Sequence, residues 1–419
     1  MTNKTTIGFS GDVSFSAFFK DGYKDENLLA PEIHEFFKGN DANIINQESP
    51  ITACRITKKK RLSHRSDVEV IDFYQETIPN VVLSLANNHM LDYGRIGVLD
   101  SCDNLEKYGC EYIGIGRNRD EASRYIIIGE DVRVGVIAIE YKKFKPHAKK
   151  WAAPFCEVNL PVLQEKIDLM KNEDKVDWVV VVYHGGEEFL NCPLPFNKKL
   201  LHKIADMGAD AIVAHHPHVV QGYEYYKGKP IFYSLGNFIF DTTYQRAQEG
   251  TTEGMLVKLT FTKSEITWDN QPIHIDREKV CVTTGEDNPY FVDLKSINYT
   301  ANWTYQCKRK KEALERATEL RVAEKEEMAN FRQSEQERID KIKEKYADEV
   351  GIATDEDESD LVDSDSSGES LENESALSKK NVKKLIRKGV RSVFNKKKRT
   401  YRRGRFLYAT LFRGKEIKA

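Results

Sequence analysis

Two rhythms of apolar and polar positions run through residues 1–300. Short runs rich in Val, Ile and Leu predict strands at 4–10, "ANIINQESP" (42–50), "VVLSLANNH" (81–89), "DWVVVVYHGGEEF" (177–189) and "ADAIVAHHPH" (209–218). Between them, apolar residues recur three and four apart. That spacing predicts helices over 26–38, 67–78, 94–108, 160–174 and 195–208. The consecutive valines at 179–182 suit a strand buried on both faces. "YIIIGEDVRVGVIAIE" (125–140) reads as a hairpin turning at "GED", and "YEYYKGKPIFYS" (223–234) as another across Gly228. Residues 254–275 read as further antiparallel strands. Strands alternating with helices predict an α/β domain of βαβ units over residues 1–300, and the late hairpins a mixed sheet or a second sheet.

The rhythm is lost beyond that point. Residues 301–350 are dense in Glu, Lys and Arg, with Glu312/Arg316 and Glu337/Lys341 at helical spacing. They predict a charged, solvated helical extension rather than a coiled-coil seam. Residues 351–378 form an acidic, Ser-rich linker, with ten acids and no base from Thr354 to Ser378. Residues 379–419 carry 17 Lys+Arg against one acid, Glu416, and thread Val382, Leu385, Ile386, Val390, Val393 and Phe394 through them. The chain as a whole is −2, so this tail of about +16 leaves about −18 on the rest. A basic amphipathic stretch over 379–412 suits an anionic membrane surface. A solvated tail is the plainer alternative, and no fold motif for nucleic acid accompanies it.

At 40% hydrophobic and 31% charged residues, the composition allows a real core with a part that does not pack. Neither an apolar leader nor an apolar run of membrane-spanning length occurs, and the seven cysteines show no CxxC pair. The expectation is a reduced, cytoplasmic chain, at most peripheral to the inner face of the membrane.

Candidate chemistry lies at the strand exits. The first strand leads to Asp12, the second to Asn46 and Glu48, and the third to Asn87, Asn88 and His89. The valine strand leads to His184 and Glu187, and "AHHPH" carries His215, His216 and His218. In an open α/β sheet this edge is where ligands bind. Carboxylates, imidazoles and an amide, with no thiolate, suit Mn, Fe, Zn or Mg-like ions and argue against a closed Cys-rich zinc site. Two such ions sharing a carboxylate can promote attack on phosphorus by in-line displacement.

"GDVSFS", "NQESP", "LANNHMLDYGRIGVLDS", "YHGGEEF", "HHPHVVQG" and "YSLGNFIF" resemble, in order, the motifs of the CapA/PgsA-type capsule-synthesis proteins, relatives of the calcineurin-like metallophosphoesterases. The resemblance covers about residues 5–260. It implies two packed mixed sheets flanked by helices, with a two-metal site at the strand ends. It further implies Asp12 on the first metal, Glu48 bridging, Asn88, His184 and His216 on the second metal, His218 returning to the first, and His89 as general acid. The metallophosphoesterase pattern usually opens with Asp-x-His, whereas this chain has Asp12-Val13-Ser14.

The resemblance thus implies a metal-dependent hydrolase of a phosphoester or polymer precursor, tied to the machinery that makes poly-γ-glutamate or polysaccharide capsule. The alternative is a non-catalytic assembly factor with a metal-binding domain, held at the membrane by its basic tail. Other residues keep simpler readings: Asn46 as a turn cap or a support for the ligands, His215 and Glu187 as supports or packing residues, and Asp92 as a helix starter. Gly236 and Asn237 read equally as pocket or turn, and His34, His64, His147, His202 and His274 as incidental. Pro217 is expected to hold His216 extended, so that His216 and His218 point the same way.

Overall fold

The computed structural model describes residues 3–54, 63–141 and 160–296, together with the isolated positions Glu312 and Glu315. The bulk of the 301–350 extension, the acidic linker and the basic tail lie outside the described residues.

The first sheet is built on β1 (Thr5–Val13), β2 (Ala42–Gln47), β3 (Val81–Ser84) and β4 (Glu111–Ile113), which run parallel. On the other side of β1, the antiparallel strands β12 (Glu253–Phe261), β13 (Ile266–Asp276) and β14 (Cys281–Thr284) extend it, and β11 (Asn237–Ile239) pairs with the end of β1. The second sheet has the order β5 (Ile126–Ile128), β6 (Val134–Glu140), β7 (Trp178–His184), β8 (Ala211–His215), β10 (Lys229–Leu235) and β9 (Val220–Tyr226).

Period-two alternation along the strands makes three apolar layers. Phe9, Ile44 and Val82 of the first sheet meet Val136, Val180, Val182 and Val213 of the second between the sheets. Val13, Ile45 and Leu83 turn outward beneath α1 (Pro31–Phe37), α2 (Val70–Thr77) and α3 (Gly94–Tyr108). Val179 and Val181 turn outward beneath α5 (Leu160–Asn172) and α6 (Pro195–Asp206), with the four-residue helix α4 (Arg119–Ala122) lying between β4 and β5 in sequence. The valine run is thus explained: each face of β7 lies against a different apolar layer. The architecture is mixed α/β, two packed mixed sheets flanked by helices.

The structure moves some expected boundaries. The first strand continues to Val13, which puts Asp12 inside it rather than beyond it. The helix expected from residue 26 starts at Pro31, where a fixed φ and a missing N–H suit the first helical position. Strands β4, β11 and β14, of three or four residues, were too short to show a period.

Candidate metal centre

Both sheets deliver polar side chains to the same edge. In β1, the Asp12 amide donates to Gly236 O at 2.9 Å, and β11 then runs alongside. This approach requires glycine at position 11, since a Cβ there would lie 2.3 Å from Gly236 O. Asn46 sits in β2 directly beside Asp12 in register. It caps no turn: its Nδ2 donates to Asp12 Oδ1 at 2.7 Å and lies 3.3 Å from His184 Nδ1. His184 and His215 end β7 and β8 side by side in register.

The backbone then departs from expectation. His216 has φ +98° and His218 φ +57°, so neither is extended. Positive φ is costly for a residue with a Cβ and is found where surrounding structure enforces it. The turn does two things here. It brings the His216 amide to Asp12 Oδ2 at 3.2 Å, and its ring Nδ1 to 3.2 Å from His184 Nε2. His218 lies with Nδ1 3.3 Å from Asp12 Oδ2 and Nε2 3.7 Å from Glu48 Oε1.

The described residues hold two triads, Asp12/Glu48/His218 and Glu48/His184/His216, whose ligand atoms in each case lie within 4.8 Å of one another. Glu48 belongs to both. Asn88 Oδ1 lies 2.8 Å from His184 Nε2, beside the second triad. His215 belongs to neither; its Nδ1 is 3.6 Å from Asp12 Oδ1, beyond hydrogen-bond range. Glu187 is half-buried and also outside both, and the charge of its exposed neighbour Glu188 reaches Glu48, His216 and His218.

The electrostatics show what these residues fit. Glu48 is fully buried and neither of its carboxylate oxygens has a hydrogen-bond partner. Burial drives its carboxyl well above the usual value against the charge of His218, with Asp12, Glu188 and Asp92 adding to the rise. At Asp12, burial acts the same way but is outweighed by the hydrogen bond and charge of His218, then by His215 and His184, which hold it well below the usual range. Burial acts against the charged form of His218 too, yet Glu48 and Asp12 raise it to about 10. Burial lowers His184, His215 and His216 and so favours their neutral forms. Ligation requires that form of His184 and His216, and of His218 it requires release of a proton. A buried carboxylate without partners is costly unless a cation compensates it. The orphaned Glu48 oxygens, ringed by imidazole nitrogens and the Asp12 carboxylate, fit divalent cations.

Beside the triads, His89 Nδ1 is 2.7 Å from Asp92 Oδ2, and its Nε2 is 3.8 Å from Glu48 Oε1. Asp92 thus holds a ring as well as preceding α3. Asn87 donates from Nδ2 to Gln47 O at 2.8 Å and shapes the turn. Gly114 and Gly116, in the turn after β4, are tightly packed: a Cβ at Gly114 would meet Ala86, and one at Gly116 would meet Glu121 and Ala122.

The family described as "Bacterial capsule synthesis protein PGA_cap" matches residues 6–242, more than half of the 419-residue chain. This chain belongs to that family. Among its relatives, it is 31% identical over 259 residues to "Capsule biosynthesis protein CapA" of Bacillus anthracis, covering 59% of this chain and 62% of that one. It is 29% identical over 255 residues to "PGA biosynthesis protein CapA" of Bacillus subtilis strain 168, covering 58% and 65%. The match therefore spans less than two-thirds of either relative. Among solved structures, the NAD nucleotidase of Haemophilus influenzae aligns at a TM-score of 0.39 and 11% identity, over 74% of this chain and 60% of that one.

The PGA_cap match ends at residue 242, yet Thr251 beyond it supports the site. Asn237 contacts His218 Nδ1 at 3.0 Å through Oδ1, and donates from Nδ2 to Thr251 O at 2.9 Å and Gln245 Oε1 at 2.5 Å. Asn237, read equally as pocket or turn, lies against His218, and His64, read as incidental, is the neighbour of the site that the sequence did not mark. The "LGNF" motif was the signal for the first; nothing local marked the second. Among the described residues no helix is long and apolar enough to cross a membrane, and Cys54, Cys102, Cys110, Cys192 and Cys281 are free thiols.

Proposed function

We propose that this protein is a metal-dependent hydrolase of the phosphoesterase type, acting on a phosphoester or polymer precursor in the synthesis of capsule or another extracellular polymer. The observation that carries the reading is Glu48, a buried carboxylate without hydrogen bonds that two triads share. Family membership supports the polymer link. Asp12, Glu48 and His218 would hold one ion, and Glu48, Asn88, His184 and His216 a second. When bound, Mn, Fe or Zn supplies Lewis acidity towards a phosphoryl oxygen and lowers the pKa of water.

The chain's own residues do the rest. Asn46 and the His216 amide fix the Asp12 carboxylate. Asp92 fixes the His89 ring, whose Nε2 faces the shared carboxylate. With the Nδ1 proton turned to Asp92, Nε2 is the nitrogen that can take up a second proton and pass it to the departing oxygen. A panel of phosphomonoesters and phosphodiesters, assayed with Mn, Fe and Zn, tests this. We expect turnover that falls about 10²–10⁴-fold in His89→Ala with metal content retained.

Ser14 favours a second reading. Where related phosphoesterases present histidine, its Oγ instead contacts Ser16 Oγ at 2.9 Å. A domain that binds metal without turning over would act as an assembly factor, and the absence of turnover across the loaded panel would select it. Under either reading we place the protein on the cytoplasmic side, with 379–412 as its contact for anionic membrane. Equal flotation on anionic liposomes by the full chain and by a truncation after Ser378 removes that part.

A further inference from the structure

We propose that His64 is a positioning residue for His89, set in place by Ser16 from a segment that supplies no ligand. Three observations converge. The His64 and His89 rings pack edge to face, with centroids 4.3 Å apart and planes at 68°. Both residues use one carboxylate oxygen: the His64 amide donates to Asp92 Oδ2 at 2.9 Å, and His89 Nδ1 lies 2.7 Å from the same atom. The far side of His64 is anchored, with Nδ1 2.9 Å from Ser16 Oγ, which in turn meets Ser14 Oγ.

The geometry divides the work. Asp92 alone would tether His89 at one atom and leave its ring free to swing about that bond. The His64 edge closes one side of that swing, and Phe240, 5.2 Å from the His64 ring, backs it. Phe240 also packs on the metal-side ring of His218 at 4.8 Å, so the wall behind His89 continues to the ion ligands. His64 is buried at 7% exposure, although it follows Ser63 in a segment with no apolar periodicity. Position 14, where related enzymes use histidine, instead starts the serine chain that ends on this imidazole.

The test reads the His89 ring directly. In the full-length, metal-loaded protein labelled with 15N-histidine, the two ring-nitrogen shifts of His89 are identified by their loss in His89→Ala. We expect wild-type His89 to hold a proton persistently on Nδ1, and Ser16→Ala and His64→Ala each to average the two tautomers. Ser16→Ala keeps both rings, so it separates positioning from simple loss of a neighbour. It also serves where His64→Ala fails to fold. Wild-type retention of the Nδ1 proton in both variants, or a wild-type ring already averaged, overturns the proposal.

A kinetic arm rests on the phosphoesterase reading. In Ser16→Ala, kcat for an alkyl phosphate should fall about tenfold with KM unchanged, and kcat for a p-nitrophenyl ester should fall less, since its leaving group needs little proton assistance. A wild type that turns over neither ester contradicts the hydrolase reading, and the tautomer measurement still decides the role of His64.

Discussion

Asn237 shows how one amide can orient a proposed ion ligand. Its Nδ2 donates to the carbonyl of Thr251, which can only accept, so its Oδ1 must face His218. His218 Nδ1 therefore carries the proton, and Nε2 is the nitrogen turned to Glu48. Groups that fix a ligand's tautomer in this way matter nearly as much as the ligand. Asn237→Ala is expected to weaken metal binding about 10–100-fold, measured by competition with a chromogenic chelator; unchanged affinity would refute the role. The strand-exit residues were legible in sequence because their side-chain types are themselves the chemistry. Asn237 was legible only as pocket or turn alike, and the parts played by Asp92 and His64 were not legible, because each acts through a hydrogen bond or ring contact to another residue rather than by its own side-chain type.

At the scale of elements, legibility followed burial. β7 was plain because packing on both faces writes a continuous apolar run. The three-residue β11 was not, since nothing distinguishes "NFI" from a loop until Asp12 pairs with it. The left-handed turn at His216–His218 was also hidden, because proline restricts its predecessor towards extended backbone and here the hydrogen bond from the His216 amide to Asp12 wins. β11 must lie close to β1 for Asn237 to reach His218, and Gly11 makes room for that approach. Gly11→Ala would force a Cβ to 2.3 Å from a backbone carbonyl. It is expected to lower stability in urea unfolding by about 1–3 kcal/mol, and to weaken metal binding as well. A stability loss below a few tenths of that range would show that the two strands part freely.

For the described residues as a whole, the proposed ligands would tie one sheet to the other. Asp12, Glu48 and Asn88 come from strands of the first sheet and the turns that follow them, and His184, His216 and His218 likewise from the second. The apolar layer between the sheets holds them together without an ion, so metal should add stability rather than create the fold. At a hundredfold excess over Kd, one site adds about 2.7 kcal/mol. Chelation is therefore expected to lower Tm by about 5–10 °C in a domain of this size, and identical melting with and without chelator would count against the site. The most direct test of the central claim is elemental analysis of the purified, metal-loaded protein beside Glu48→Gln. The account predicts two divalent ions per chain in the wild type and loss of both on removing the carboxylate the triads share. A wild type without stoichiometric metal, or a Glu48→Gln variant with unchanged content, would contradict it.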